Sequence, residues 1–545
     1  MNKIAQYLNE HILGEVHYSE SVCQAFSHDG SILSIKPEIV IHPRTTNDIR
    51  KIARFSWQLA EKGHVLPITV RGGGSNKSGA AIGKGVIVNT IAHLNKTIFI
   101  SLNNKDQFIH VQPGITFGNL NEILKSHDMY IPTFPSSAEY STIGGSVADN
   151  SGGRNSGQYG LTGDWVTRTE LILSNGDLIE TSRISKHELN KKKGLQTFEG
   201  EIYRKIDGII EDNQQIIDDK ITNNSTDNTG YTGISKVKNR DGSFDLTPLI
   251  IGNQGTLGIM SEIVLRTTPY NSDESIIVAI FNDPEIARDA ADLLMEIQPS
   301  VLDYFDSELY NMALRQGKKY IFTDLFDNKS GTVVFASFNN ISDRIQKRKM
   351  KQALKKLSKL ETTIFTNSDY SNNDLYAIAE VGSVIIEPIN KDESRPSIID
   401  GVSVPADRRE DFIVAVDELA KKHHIKLPLH IRWMDNVINT RPTLQLNNIS
   451  ERQKTFKLIN DYVELVTRFG GSTSADGTEG RLRSIAAYSQ LDDDVLDIYN
   501  QIKNTFDPFG ILNPGVKQKS DLKTLVANLE PNYNLANFAK YSPKE

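Results

Sequence analysis

Glycine is spread unevenly along this chain, and that unevenness limits its architecture more than any other feature. Six glycines fall between Gly72 and Gly85, and seven between Gly144 and Gly163. Strand-like runs flank both clusters, so neither reads as linker. Ile68-Thr-Val leads into the first, Gly85-Val-Ile-Val follows it, and Phe108-Ile-His-Val precedes Pro113-Gly114. Glycine tolerates positive φ and close backbone approach, so Arg71-Gly-Gly-Gly-Ser-Asn-Lys-Ser-Gly79 can turn consecutive N–H groups toward a diphosphate. The loop lacks the Gly-Lys-Ser/Thr of a Walker loop and the G-x-G-x-x-G spacing of a dinucleotide fold. Alone, it serves equally well as a structural turn. Two further elements repeat the theme: Ser141-Thr-Ile-Gly144-Gly145 through Asn150 to Gly153, and Gly252-Asn-Gln-Gly255-Thr-Leu-Gly258. Three such loops on β scaffolding can enclose one extended ligand.

Composition narrows the functional classes. With 61 Lys+Arg against 68 Asp+Glu the formal charge is −7, which argues against a nucleic-acid binder. Cys23 is the single cysteine, so no internal disulfide, thiolate zinc cluster or iron–sulfur cluster is held by this chain alone. Electron transfer would therefore need an organic cofactor. No apolar run approaches the ~18 residues of a membrane span, and no signal-peptide core follows Met1. The chain reads as cytoplasmic, with peripheral contact at the inner face of a membrane left open. At roughly 100–200 residues per domain, 545 residues predict two to four domains.

Asn175-Gly176 between Glu170-Leu-Ile-Leu-Ser and Asp177-Leu-Ile-Glu predicts a hairpin. The texture changes near Ser275. Ile276-Ile-Val-Ala-Ile reads as a strand, Asp283-Pro284 opens a helix, Thr332-Val-Val-Phe-Ala is a second strand, and a Lys-rich helix runs from about Ser342 to Leu360. This alternation suggests a separate α+β domain. A further helix carries Phe456, Ile459, Val463 and Val466 and stops at Gly470-Gly471. The polar stretch Asp212–Asp245 reads as an exposed excursion, and residues after Lys519 as a polar tail. No internal repeat is found.

The three glycine loops resemble the flavin-binding domain of the FAD-linked oxidases, the vanillyl-alcohol-oxidase and p-cresol-methylhydroxylase superfamily. Arg71–Gly79 is similar to its diphosphate loop, and Val111-Gln-Pro-Gly114 to its Pro-Gly element. Pro135-Ser136-Ser137 with Thr142 to Gly145 resembles its Pro-x-Ser-Ser…Thr-Ile-Gly-Gly segment. Gly157-Gln-Tyr159-Gly160, Gly255-Thr-Leu-Gly258 and Phe506-Asp-Pro…Leu-Asn513-Pro-Gly515 continue the match in family order, from about Pro37 to Lys517. The resemblance implies FAD held by Arg71, Gly72, Gly73, Gly74, Ser75, Asn76 and Gly79. From the later segments it adds Pro135, Ser136, Ser137, Thr142, Gly144, Gly145, Asn150, Gly153 and Tyr159, then Gly255, Gly258, Ile259 and Asn513. Covalent attachment in this family uses a His or Cys near these loops. Positions 71–79 contain neither, so non-covalent FAD is expected. The implied fold is α+β: an N-terminal helical extension over 1–35, a two-subdomain FAD-binding domain over 36–271, and a cap domain with an antiparallel sheet over 272–495. A segment over 496–519 then returns to the FAD domain, before a tail over 520–545.

The nearest branch resembles the D-2-hydroxy-acid dehydrogenases: D-lactate and D-2-hydroxyglutarate dehydrogenases and the glycolate oxidase flavin subunit. This implies hydride transfer from a small 2-hydroxy acid to flavin N5. The reduced flavin would pass its electrons to a separate acceptor such as a quinone, a cytochrome or an electron-transfer flavoprotein. The branch's two metal-binding histidines align with Arg432 and Asn439, its metal-binding Glu with Asp476 and its catalytic His with Gly477. Its substrate-carboxylate arginine falls on Ala379. No metal is therefore expected. Arg432, Arg441 and Arg481 would form an anion pocket, unless they simply pair with Asp435, Glu479 and Asp476. His430 and Glu479 are the remaining base candidates. Arg432, His430, Glu479 and Arg481 thus carry the expected chemistry. Two alternatives stand beside it: an oxidase of an uncharged alcohol using O2, and a FAD-binding paralogue with a decayed site.

Overall fold

The computed structural model describes residues 3–103, 106–221, 227–315, 331–339, 342–383, 393–446, 448–520 and 522–530. It divides into two compact units: Met1–Ser151, Leu161–Thr268 and Ser472–Glu545 form the first, and Gly152–Gly160 with Pro269–Gly471 the second.

The first unit contains two sheets. A four-stranded sheet runs in the order Glu15–His17, Ile39–His42, Val86–Asn89, Ile68–Arg71, antiparallel at its first pair and parallel at the others. Helix Thr46–Glu61 is the crossover from Ile39–His42 to Ile68–Arg71, the two strands that flank Val86–Asn89. That helix opens on a capping box in which Thr45 and Asp48 satisfy each other's backbone N–H groups. Its Ile49, Ile52 and Ala53 pack on Ile39, Ile41, Val86 and Val88. The second sheet is antiparallel, in the order Thr97–Asn103, Asp106–Val111, Ile259–Arg266, Val166–Ile172, Leu178–Thr181. The Asn175-Gly176 hairpin forms as expected, with Gly176 at φ +83°.

The second unit is built on a seven-stranded antiparallel sheet. Its order is Thr363–Thr366, Ser275–Phe281, Thr332–Phe338, Val301–Phe305, Leu429–Arg432, Val437–Thr440, Val402–Ser403. Every residue of Thr332–Phe338 is buried, so both faces of the sheet are covered. One face packs Ile276, Val278, Phe305 and Phe335 against Tyr310, Leu375 and Ile378 from helices Ser307–Arg315 and Asn372–Ser383. The Lys-rich helix spans Asp343–Leu357, and helix Ile449–Arg468 ends before Gly470 at φ +71°.

Four expectations need correction. The N-terminal extension is not only helical, because Glu15–His17 adds an edge strand to the first sheet. Asp212–Asp245 is not wholly an exposed excursion: among its described residues Ile217, Ile221, Tyr231, Ile234, Val237 and Phe244 are buried in the core of the first unit, while 222–226 lie outside the described residues. The return to the first unit begins at Ser472 rather than at 496. The tail's first part is helix Leu522–Ala527, with Leu525 buried and Leu529 bridged to Leu33; residues 521 and 531–545 lie outside the described residues.

Candidate functional site

The first glycine loop is folded by its own asparagine. Asn76 Oδ1 accepts from Ser78 N, Ser78 Oγ and Ala80 N at 2.9–3.0 Å. Gly74 takes φ +72° directly against the Arg71 guanidinium, where a Cβ would collide. Arg71 is buried and donates to His28 O at 2.6 Å and Ala81 O at 3.3 Å, so it braces the loop from behind. Burial lowers its pKa to about 10, with Asp29 opposing the shift. The backbone N–H groups of Gly72, Gly73, Gly74, Ser75 and Asn76 meet no acceptor among the described residues. A run of consecutive amides in this state is an anion nest.

The second loop is different in kind. Ile143 N and Gly144 N donate to Ile115 O and Pro113 O, and Gly145 N to Thr142 Oγ1, so these amides are already satisfied. Cβ atoms on Gly73 and Gly144 would strike Tyr140 O and Pro113, so those glycines serve loop-to-loop packing. Gly145 is exposed, and a Cβ there would meet only Thr142 Oγ1, at 3.1 Å. Ser75 Oγ and Ser141 Oγ lie 2.9 Å apart, and Ser137 Oγ is 2.7 Å from Ser141 Oγ. Pro135 closes a turn to Ala138, leaving Ser136 exposed. Asn150, in the left-handed region at φ 47°, accepts from Gly163 N and donates to Asn228 Oδ1.

The third loop joins the second through Gly252 N to Val147 O and Gln254 N to Ala148 O. Gly255 is at φ +73°. Gly258 is required by the Leu171 side chain, and Ile259 is a core residue of its strand, packed with Ile172. The centre of this assembly is Asp149, which sequence reasoning missed. Its Oδ1 accepts from Gln254 Nε2 at 2.9 Å, from Asn76 Nδ2 and Thr478 Oγ1 at 3.2 Å and from Thr478 N at 3.3 Å. Burial pushes its pKa up to about 6 despite these donors. The available signal was one acid in an otherwise neutral loop.

Two expected catalytic residues are engaged in contacts within the first unit. Arg481 is buried and donates to Gly79 O at 2.6 Å and to Asn513 Oδ1 and Pro514 O at 2.9 Å. Its donors are committed to holding the first loop. Asn513 is equally committed: it also accepts from Thr69 Oγ1 and donates to Ala80 O and Gln254 O. Glu479 is fully buried, paired with Lys517 Nζ at 3.1 Å and accepting from Gly230 N at 2.9 Å, which leaves no oxygen open for proton transfer to a ligand.

The other candidates lie in the second unit, where the two expected arginines are each paired with a carboxylate. Arg432 is closed by Asp435, at 3.3 Å from Nε and 2.8 Å from Nη2. Arg441 is held by Asp400 at 2.8 Å, and Asn439 Oδ1 accepts from Gly401 N. His430 stacks on Phe305, with ring centroids 4.5 Å apart and planes at 12°. Its Nε2 is buried 3.7 Å from Oδ1 of the buried Asp303. The Gly152–Gly160 segment belongs to this unit; Gly153 N donates to Ser156 Oγ, and Tyr159 ends the short helix Ser156–Tyr159. It also brings in Arg154, whose Nε is 3.9 Å from Asp303 Oδ2 and whose guanidinium lies over Tyr376. Ala379 is buried one turn further along the same helix as Tyr376. Among the described residues, no group of three or more His, Cys, Asp or Glu is arranged to hold a metal ion. No helix among them is long and apolar enough to cross a membrane.

The first unit thus carries a free amide nest joined to two glycine loops, and the second an antiparallel sheet. Residues 37–182 match the FAD binding domain, and residues 271–516 match the C-terminal domain of FAD linked oxidases. The chain belongs to the FAD-linked oxidase family. It is 24% identical over 507 residues to a D-2-hydroxyglutarate dehydrogenase of Pantoea ananatis, covering 90% of this chain and 49% of that protein. It thus spans about half the length of the D-2-hydroxyglutarate dehydrogenases it matches. A glycolate oxidase subunit of Bacillus subtilis is 22% identical, over 90% of this chain and 91% of the relative. In fold, the chain is similar to 4-ethylphenol oxidase from Gulosibacter chungangensis, with TM-score 0.67 and 13% identity over 96% and 98% of the two chains. The cofactor is FAD, and the nest at Gly72–Asn76 and the open Gly145 fit its diphosphate.

Proposed function

We propose that this protein oxidises a small 2-hydroxy acid, using non-covalently held FAD and passing the electrons to a separate acceptor. FAD, when bound, supplies the hydride acceptor. The first unit's contribution is to hold it, through the Gly72–Asn76 amides and the exposed Gly145. The reading rests on one observation above the others: on one sheet face, half-buried His430 has its Nε2 3.7 Å from buried Asp303, with an arginine beside them. An imidazole beside a carboxylate is suited to take the hydroxyl proton as the carbon gives up its hydride. Only His430 Nε2 is buried against Asp303, and the side chain keeps 13% exposure. The relatives' names, D-2-hydroxyglutarate dehydrogenase and glycolate oxidase subunit, agree with a hydroxy-acid substrate. The protein is read as cytoplasmic.

An anaerobic screen of 2-hydroxy acids and uncharged alcohols, followed by flavin absorbance, tests the proposal. Bleaching by one or more hydroxy acids is the expected result. Bleaching only by alcohols, with peroxide formed on admitting air, would replace it with an oxidase. No bleaching by any compound would point to a decayed site.

A further inference from the structure

We propose that Arg154 is the residue that binds the substrate carboxylate, and that Asp303 positions it together with His430. The inference deepens the hydroxy-acid reading and rests on it.

An arginine that recognises a ligand needs donors that the protein has not already used. Arg432 and Arg481 fail that requirement, being closed by partners at 2.6–2.9 Å, and Arg441 is tied through its Nε to Asp400 at 2.8 Å. Arg154 meets it. Its nearest anion is Asp303 Oδ2 at 3.9 Å, beyond hydrogen-bond reach, and no hydrogen bond links it to any other described residue. What holds it is aromatic: its guanidinium carbon lies 4.7 Å from the Tyr376 ring centroid and 5.5 Å from that of Phe335. Stacking fixes the plane of the fork while leaving the N–H edges available. The side chain is 25% exposed, so a small ligand can reach it.

Asp303 explains the rest of the arrangement. It is buried, faces Arg154 with one oxygen and His430 Nε2 with the other, and its Oδ1 has no hydrogen-bond partner. A buried carboxylate is costly unless it serves charged neighbours. Here it orients two of them on one face, since Asp303 lies across from Arg432 and Phe305 from His430 in the strand register. One planar fork beside one imidazole matches a carboxylate adjacent to a hydroxyl. An uncharged alcohol would leave the fork without a partner.

The test is oxalate binding to FAD-loaded protein, by calorimetry and by perturbation of the flavin spectrum. Arg154→Ala should weaken oxalate at least ~30-fold, the scale of losing a bidentate charge-assisted contact. Arg154→Lys, which keeps a cation for Asp303, should weaken it about tenfold with FAD content unchanged. Asp303→Asn should lower kcat more than it raises KM for the fastest-bleaching hydroxy acid, because it acts through His430. Oxalate affinity within twofold of wild type in Arg154→Lys and Arg154→Ala would overturn the proposal while leaving the hydroxy-acid reading intact. Should Arg154→Ala fail to fold, Arg154→Lys alone decides. A wild-type protein that neither binds oxalate nor is bleached by any hydroxy acid would remove the parent reading instead.

Discussion

Asp149 Oδ1 accepts a hydrogen bond from Gln254 Nε2 at 2.9 Å, tying the second glycine loop to the third. Thr478 and Asn76 converge on the same oxygen. One carboxyl therefore couples four chain segments that are far apart in sequence.

That carboxyl should make stability pH-dependent in a defined direction. Its folded pKa of about 6 lies above the ordinary 3.8, so the native state holds the proton more tightly. The resulting stabilisation is complete below about pH 4 and is lost as pH rises through 6. Asp149→Asn should remove this dependence. Urea unfolding of the apo-protein should show the variant gaining on wild type by on the order of 2–4 kcal/mol between pH 4 and 7.5. A difference that stays flat with pH would show that the Asp149 charge is not responsible.

Two glycines in adjacent loops should behave differently when replaced by valine. A side chain on Gly73 collides with the Tyr140 carbonyl, so Gly73→Val should lower both apo-protein stability, by about 1–3 kcal/mol, and FAD occupancy. Gly145 is open to solvent, and Gly145→Val should weaken FAD by about tenfold or more while the apo-protein Tm moves by only about 2 °C. FAD titration beside differential scanning fluorimetry checks both. Parallel behaviour of the two variants would refute the distinction.

Glu479→Gln should be a folding mutation rather than a catalytic one. It leaves Lys517 buried without its counter-charge, at a cost of about 3–5 kcal/mol. Chemical denaturation measures the loss. An unchanged unfolding midpoint with abolished turnover would instead return Glu479 to the chemistry.

Acid or heat precipitation should release all of the flavin as free FAD. The nest carries no His or Cys, and Cys23 is buried, with its Sγ directed to Glu38 O. Flavin remaining in the pellet would contradict non-covalent binding.

Local pattern made much of the fold legible. The strands at Ser275–Phe281 and Thr332–Phe338, the Lys-rich helix and the stop at Gly470 follow from periodicity and glycine. The strand Glu15–His17 is only three residues long and has no period to read. Asp212–Asp245 looked exposed because its anchoring apolar residues are spaced among Asn and Asp. The surroundings of the site residues were not legible, for a different reason. Whether a charged side chain is free depends on its partners, and those of Arg481 and Glu479 are 402 and 38 residues away. Arg154 sits in a glycine-rich stretch with no pattern of its own, and only the fold shows that its donors are unspent.

The Asn513 clamp also sets a schedule. Thr69 and Asn513 are separated by 444 residues, yet their side chains meet at 3.0 Å. At synthesis rates of roughly 5–20 residues per second, a ribosome needs about 20–90 s to make the intervening chain. The flavin cradle therefore stays unfinished through most of translation. A nascent chain stalled before Asn513 would lack the side chain that joins Ala80, Gln254 and Arg481. Cofactor loading is thus expected to be a late event in the life of the polypeptide, after the inserted second unit has emerged, and truncated products should accumulate without colour.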